Sequence, residues 1–460
     1  MPLNPWGRPG YGEKQDRSPS TRRRHRLQRI RGGSDVSGRA AVDSERPGSG
    51  YWIRIVATVF LPFASGYFLS YLYRALPSLI GDRIREELVL DAGVLGLVGA
   101  AYFLAFGLAQ LPVGMALDRY GPRRVQTVLL LIAGAGAVIF GLGTNPETLI
   151  VGRALIGLGC AAGLMGSFKA ITLWFPQNRW PLVNGCLLGM GGLGALMATT
   201  PVEHLLTFIS WHDLFFWIAG ASAASSLLIF TVVPEKPGSA NPIPASELLG
   251  SLKRVYSSRA YWRIAPMAVM TMATGMAIHN QWAGLWLKDV ALFDQATVAI
   301  YLQTLGIALT AGFVLGGVVA DVLGRYGIPL HAIMAGGVSV LIFSQISIAL
   351  GWDPSGHWPW ILLGLSSNMS ALAFPWLCGQ FPLNLAGRVN SALNVFVFLG
   401  VFAIASGLGW IIDRFPLTEA GGYAREGYET GLLIIIAVET LAFIWFLVPG
   451  GKKKNAGSEE

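Results

Sequence analysis

The sequence predicts an all-α integral membrane protein of twelve transmembrane helices, arranged as two six-helix pseudo-repeat bundles around a central cavity. Three observations predict it. The 460-residue chain is 53% hydrophobic and 13% charged, against roughly 25% charged in a soluble protein. Twelve stretches stay apolar over the ~20 residues that a bilayer-spanning helix needs. A short charged patch also stands between apolar stretches once in each half of the chain. Duplicated helix bundles in a membrane point to a transporter with its site between the halves.

The spans fall at 53–79, 92–113, 125–143, 147–171, 182–203 and 213–233, then at 262–287, 295–319, 329–350, 359–381, 389–412 and 430–449. The chain therefore divides into a basic, disordered cytosolic tail (1–50), an N-terminal six-helix bundle (51–234), a cytosolic linker (235–260), a C-terminal six-helix bundle (261–450) and a short cytosolic tail (451–460). The linker begins Pro-rich and then reads as a short amphipathic helix on the membrane surface.

The net charge of +8 is unevenly placed: residues 1–54 hold twelve of the 34 Lys and Arg. No folded nucleic-acid module fits in that tail, so its basic run is read as meeting anionic lipid rather than nucleic acid. With the N-terminus in the cytosol, Arg119, Arg123, Arg124, Arg179, Lys253, Arg254, Arg325 and Arg388 fall in cytosolic loops. The opposite loops are comparatively acidic, with Asp82, Glu86, Glu87, Asp353, Asp413 and Glu426. The positive-inside rule then places both termini in the cytosol of a multi-pass protein of the bacterial inner membrane. Cys160, Cys186 and Cys378 lie far apart in apolar segments and form no metal spacing or disulfide framework. No P-loop, catalytic Ser/His/Asp set or metal cluster stands out, so neither an enzyme nor a primary pump is expected, and no cofactor or metal.

The repeated patch runs Gly114-Met-Ala-Leu-Asp118-Arg119-Tyr-Gly121-Pro-Arg123-Arg124 and, about two hundred residues later, Gly317-Val-Val-Ala-Asp321-Val-Leu-Gly324-Arg325. Gly114 and Gly317 are expected to let two helices approach closely. Asp118 and Asp321 end a helix, where a carboxylate meets a helix N-terminus or an Arg from the next loop. Gly114, Asp118, Arg119, Arg123, Asp321 and Arg325 thus form a candidate conformational latch. Six helices, a linker and six more helices carrying this loop twice resemble the major facilitator superfamily over about residues 51–450. Arg153-Ala-Leu-Ile-Gly157 in the fourth helix is similar to that family's R-x-x-x-G signature. The second loop departs from the family pattern at Val322, and the Gly-Pro run of many drug/proton antiporters is missing after Gly189.

Charges within a membrane are costly, so each is a site hypothesis. Tyr67, Ser70, Tyr71, Arg74 and Ser78 fall at i, i+3, i+4, i+7 and i+11 and make one polar face on the first helix. The resemblance implies that this helix, with the fourth, seventh and tenth, lines the cavity. Tyr71-Leu-Tyr-Arg74 also resembles the first helix of organic-anion and sugar-phosphate transporters, in which an Arg there grips the anionic group. An Arg fork suits that task. Arg153 and Lys169 lie sixteen positions apart, or about 160° around a helix, so only one faces the centre. Arg153 is assigned there, and Lys169 near the cytosolic end. Gln281 in the seventh helix and Ser370 in the tenth are further binding candidates. His279 and Glu439 are the candidates for proton coupling.

The expected function is secondary active transport of a small anionic organic solute by alternating access. Its partners are that solute, a coupling proton and membrane lipid, and the protein acts as a monomer. The sequence flavour is similar to nitrate/nitrite porters and siderophore carriers, although the helix-two Arg of nitrate porters is absent. Proton-coupled export of drugs, transport of siderophores or iron complexes, and a non-transporting sensor or assembly role are the alternatives.

Overall fold

The computed structural model describes residues 49–235, 245–382, 385–419 and 421–448. Most of the basic tail, part of the linker and the C-terminal tail lie outside the described residues. The first crossing is α1 (Ser49–Ile55), a π-helical turn (Val56–Phe60) and α2 (Leu61–Leu88). Crossings two and three lie in α3 (Ala92–Gly141). Its 50 residues would reach about 75 Å if straight, over twice the bilayer's apolar thickness. The chain breaks instead at Gly121, where φ is 79° and ψ 162°, a conformation that suits glycine.

The fourth crossing is α4 (Pro146–Cys160) with α5 (Gly163–Trp174), the fifth α6 (Trp180–Met197) with α7 (Thr200–Leu205), and the sixth α8 (Trp211–Val232). Linker helix α9 (Ala245–Tyr256) follows. The seventh crossing is α10 (Arg259–Ala277), a π-helical turn (Ile278–Trp282) and α11 (Ala283–Asp289). The eighth and ninth are α12 (Gln295–Arg325) and α13 (Leu330–Ala349). The tenth is α14 (Trp358–Ser367), a 3-10 turn (Met369–Leu372) and α15 (Ala373–Cys378); α16 (Ala386–Ile412) and α17 (Arg425–Leu447) complete the set. Nine stretches among the described residues are long and apolar enough to cross a bilayer. The broken α3 makes two crossings of one such stretch; the short fifth and the polar seventh bring the total to twelve.

Caps fix several helix starts. Asn145 accepts from the Thr148 amide, Asp294 from the Thr297 amide, and Ser210 and Asp213 form a reciprocal capping box.

Two sequence expectations need correction. The first helix runs nine residues past 79 to Leu88, so Asp82, Arg83, Arg85, Glu86 and Glu87 are helical rather than in a loop. Ile80 and Ile84 keep this extension attached to the core, and Val89 ends it with a left-handed φ of 50°. The linker helix turns the apolar residues of its last turns into the protein rather than onto the membrane surface. Leu252 and Val255 are buried in the core of the second half, and the Tyr256 hydroxyl donates to the Ala392 carbonyl of α16 at 3.4 Å.

The core shows how the halves meet. At the end carrying residues 80–95, here called the far side, a single apolar cluster spans both halves. Toward the linker, each half closes around its own cluster: one contains Ile55, Phe63 and Phe175, the other Leu252, Tyr261 and Phe446. The halves thus share one cluster on the far side and keep separate clusters toward the linker, with Leu111 of α3 packed against the second of these.

Candidate functional site

Arg74 lies near the middle of α2 and is 8% exposed. Its guanidinium carbon is 4.7 Å from the ring centre of Tyr71, 5.2 Å from Phe106, 5.7 Å from Phe398 and 5.9 Å from Tyr102. Tyr71 lies one turn before it on α2, Tyr102 and Phe106 lie one turn apart on α3, and Phe398 comes from α16 in the second half. The cage is therefore built by both halves. The Arg74 Nε has no hydrogen-bond partner, and no carboxylate among the described residues pairs with the guanidinium. Next to it, the Tyr102 hydroxyl and His279 Nδ1 also lack partners, and His279 lies within electrostatic reach of Arg74.

The structure gathers part of the predicted set here. Tyr67 packs edge-on against Tyr71, with ring centres 5.0 Å apart. Arg153 is 0% exposed, sits 5.1 Å from the Tyr102 ring and donates through Nη1 to the Tyr73 carbonyl at 2.9 Å. It reaches the site through Tyr102 and supports it from behind. Gln281 and Ser370 have other partners. Gln281 Nε2 donates across the halves to the Leu95 carbonyl at 2.9 Å, and Ser370 Oγ donates to Ser367 in its own turn at 3.2 Å. Glu439 is 0% exposed inside the second half. Thr274 of α10 and Gln345 of α13 stand beside it, yet neither carboxylate oxygen is in hydrogen-bond geometry with either.

The latch residues of the first loop take other partners than expected, and Asp321 of the second takes an Arg. Asp118 pairs with Lys169 of α5, not with an Arg of the next loop. Arg123 and Arg124 reach Glu235, and Arg123 Nε also donates to the Phe230 carbonyl at 3.1 Å. Arg119 stays beside Tyr120, 5.2 Å from its ring centre. Asp321 and Arg325 pair at 2.6 Å on their own exposed helix surface. None of these contacts joins the two halves. The close approach expected at Gly114 and Gly317 is absent: a methyl at either would meet open space.

The ion pairs that join the halves lie on the far side. Arg85 holds Asp289 at 2.8 Å and also bonds Asp82. Lys288 reaches back to Asp82 and to Glu86, the latter at 3.1 Å. The Gly284 amide donates to Ser78 Oγ at 3.1 Å, and a Cβ at Gly284 would overlap the Ser78 carbonyl, so only glycine allows this approach. The Gly93 amide donates to Asp413 at 2.6 Å. Burial raises the Asp413 carboxyl above its ordinary value, and the bond from Gly93 opposes that shift.

Sequence reasoning missed Tyr102, Phe106 and Phe398, and the Gln110–Asn394 bond of 3.3 Å that joins α3 to α16. A signal was present. Tyr102, Phe106 and Gln110 fall at i, i+4 and i+8, and Asn394 and Phe398 at i, i+4, each set on one helix face.

Residues 63–405 match the Major Facilitator Superfamily. A probable sulfoacetate transporter of Cupriavidus necator is 23% identical over 397 residues, covering 82% of this chain and 91% of that protein. A probable galactarate/D-glucarate transporter of Bacillus subtilis is 25% identical over 416 residues, covering 76% of this chain and 90% of that protein. The crystal structure of a bacterial homologue of the human lysosomal transporter Spinster superposes with a TM-score of 0.68 at 16% identity, covering 84% of this chain and 95% of that one. With two six-helix halves, a match over most of the chain and full-length relatives that are transporters, this chain belongs to the Major Facilitator Superfamily.

Proposed function

We propose that this multi-pass membrane transporter carries a small organic anion, with Arg74 as the group that binds its charge. One observation carries the reading: a guanidinium is held between the halves, in a cage that supplies no counter-charge. A buried cation without a partner is costly, and an anionic solute supplies the missing partner. Sulfoacetate and galactarate or glucarate, the solutes in the relatives' names, are anions. The linker side faces the cytosol of a bacterial inner membrane, since the basic loops Arg123, Arg124, Lys253 and Arg254 lie there. The state seen is then closed outward. The protein works as a monomer and catalyses no covalent chemistry.

The test is counterflow in liposomes loaded in turn with small organic anions, neutral sugars and lipophilic cations. Exchange driven by anions alone is the expected result. Exchange driven by cations alone would reject the reading in favour of drug export.

Glu439 is the proposed carrier of a coupling proton. It is a carboxyl deep in the second half, and its neighbour Thr274 lies one turn before the π-helical segment that holds His279. Glu439→Gln is expected to keep solute exchange and lose proton-driven accumulation. Accumulation equal to the native protein's would remove Glu439 from the coupling step.

A further inference from the structure

The groups around Arg74 also bear on the body of the solute. Its immediate surroundings are rings: Tyr71 on one helix, Tyr102 and Phe106 on a second, Phe398 from the other half. Phe106 and Phe398 pack against each other with centres 4.4 Å apart, and Tyr102 stacks on Phe106 at 5.8 Å. The nearest amides along those helix faces are already occupied. Gln110 and Asn394, each one turn from a cage phenylalanine, bond to each other at 3.3 Å. Gln110 also donates to the Phe106 carbonyl at 3.4 Å.

Around Arg74 the buried polar atoms without a partner are Arg74 Nε, the Tyr102 hydroxyl and His279 Nδ1, with Nε and Nη2 of Arg153 behind the Tyr102 ring. A carboxylate has two oxygens with about four acceptor positions, of which an Arg fork and a phenol hydroxyl can fill about three. Rings, rather than hydroxyl-bonding groups, make the wall within 5.9 Å of the guanidinium carbon. A hydroxyl buried without a partner lowers affinity by about tenfold. An aromatic ring instead finds faces and edges to pack on.

We propose that the solute is an aryl carboxylate, a flat aromatic acid whose carboxylate sits on Arg74 and whose ring packs among Tyr71, Phe106 and Phe398. The proposal rests on Arg74 being the anion-binding group. It separates this chain from relatives named for polyhydroxy and sulfonated acids.

The test uses the full chain in liposomes, with benzoate, glucarate and sulfoacetate as probes and a lipophilic cation as control. Thermal stabilisation and inhibition of counterflow are both read, since a ligand that binds the folded state raises its apparent stability. Benzoate is expected to act at concentrations at least tenfold below those of glucarate and sulfoacetate. Phe398→Ser is expected to weaken benzoate at least tenfold, and by a larger factor than glucarate. Arg74→Ala is expected to lose every acid. Tighter binding of glucarate or sulfoacetate than of benzoate, still lost in Arg74→Ala, would overturn the aryl assignment and keep Arg74 as the anion site. Silence from every acid would overturn both. The ranking in the native protein needs no variant, so misfolding of Phe398→Ser would not leave the question open.

Discussion

Arg74→Ala is expected to abolish anion transport while the protein still folds and inserts. A charge-assisted contact at a desolvated site, once truncated, costs about 3 kcal/mol or more, a loss of roughly a hundredfold or greater in affinity. Folding should survive, because Arg74 has no carboxylate partner to be left stranded. What the variant loses at home is cation–π contact with rings that can pack on one another, as Phe106 and Phe398 already do. Arg74→Lys should fall between, since it keeps the charge and loses the fork. Counterflow in liposomes reads the transport, and a single symmetric peak in size-exclusion chromatography reads the fold. Native transport rates in Arg74→Ala would remove the residue from the site.

Arg85→Met is expected to open the far side. Arg85 and Asp289 are both nearly buried, with side chains 8% and 2% exposed, and they come from opposite halves. Removing the cation leaves Asp289 with the Tyr428 hydroxyl, at 2.8 Å, as its remaining side-chain hydrogen bond. Stranding one partner of a buried pair costs about 3 kcal/mol, enough to shift a two-state balance by roughly a hundredfold. Met keeps the apolar stem against its neighbours, so the change falls on the charge. The readout is labelling of a cysteine placed at Leu285, which packs near Gly81 in the closed far side, in a background with Cys160, Cys186 and Cys378 replaced by serine. A membrane-impermeant maleimide should label the Arg85→Met protein many times faster. Equal rates would show that the apolar cluster alone holds this side shut.

The two sites differed in how far the sequence exposed them. The Tyr67–Arg74 face could be read because its polar residues repeat with the helical period on an apolar helix. The rings opposite it could not. Phe106 and Phe398 are apolar residues on apolar helices, where facing lipid, filling a core and walling a binding site look alike in sequence. The far-side pairs were hidden for the opposite reason. Asp82, Arg85 and Glu86 are charged, and charge at the end of a span reads as loop. Partners some two hundred positions away, Lys288 and Asp289, make helix affordable there.

The sequence by itself determined the membrane class, the twelve crossings, the duplication and the isolated charges, because each depends on local composition and period. The tertiary structure decided which charges were paired. It gave Asp118 to Lys169 and Asp289 to Arg85, and left Arg74 caged without a counter-charge. Pairing depends on distances between helices far apart in the chain. In a low-dielectric interior those distances separate a charge held by a partner from one left without a counter-charge.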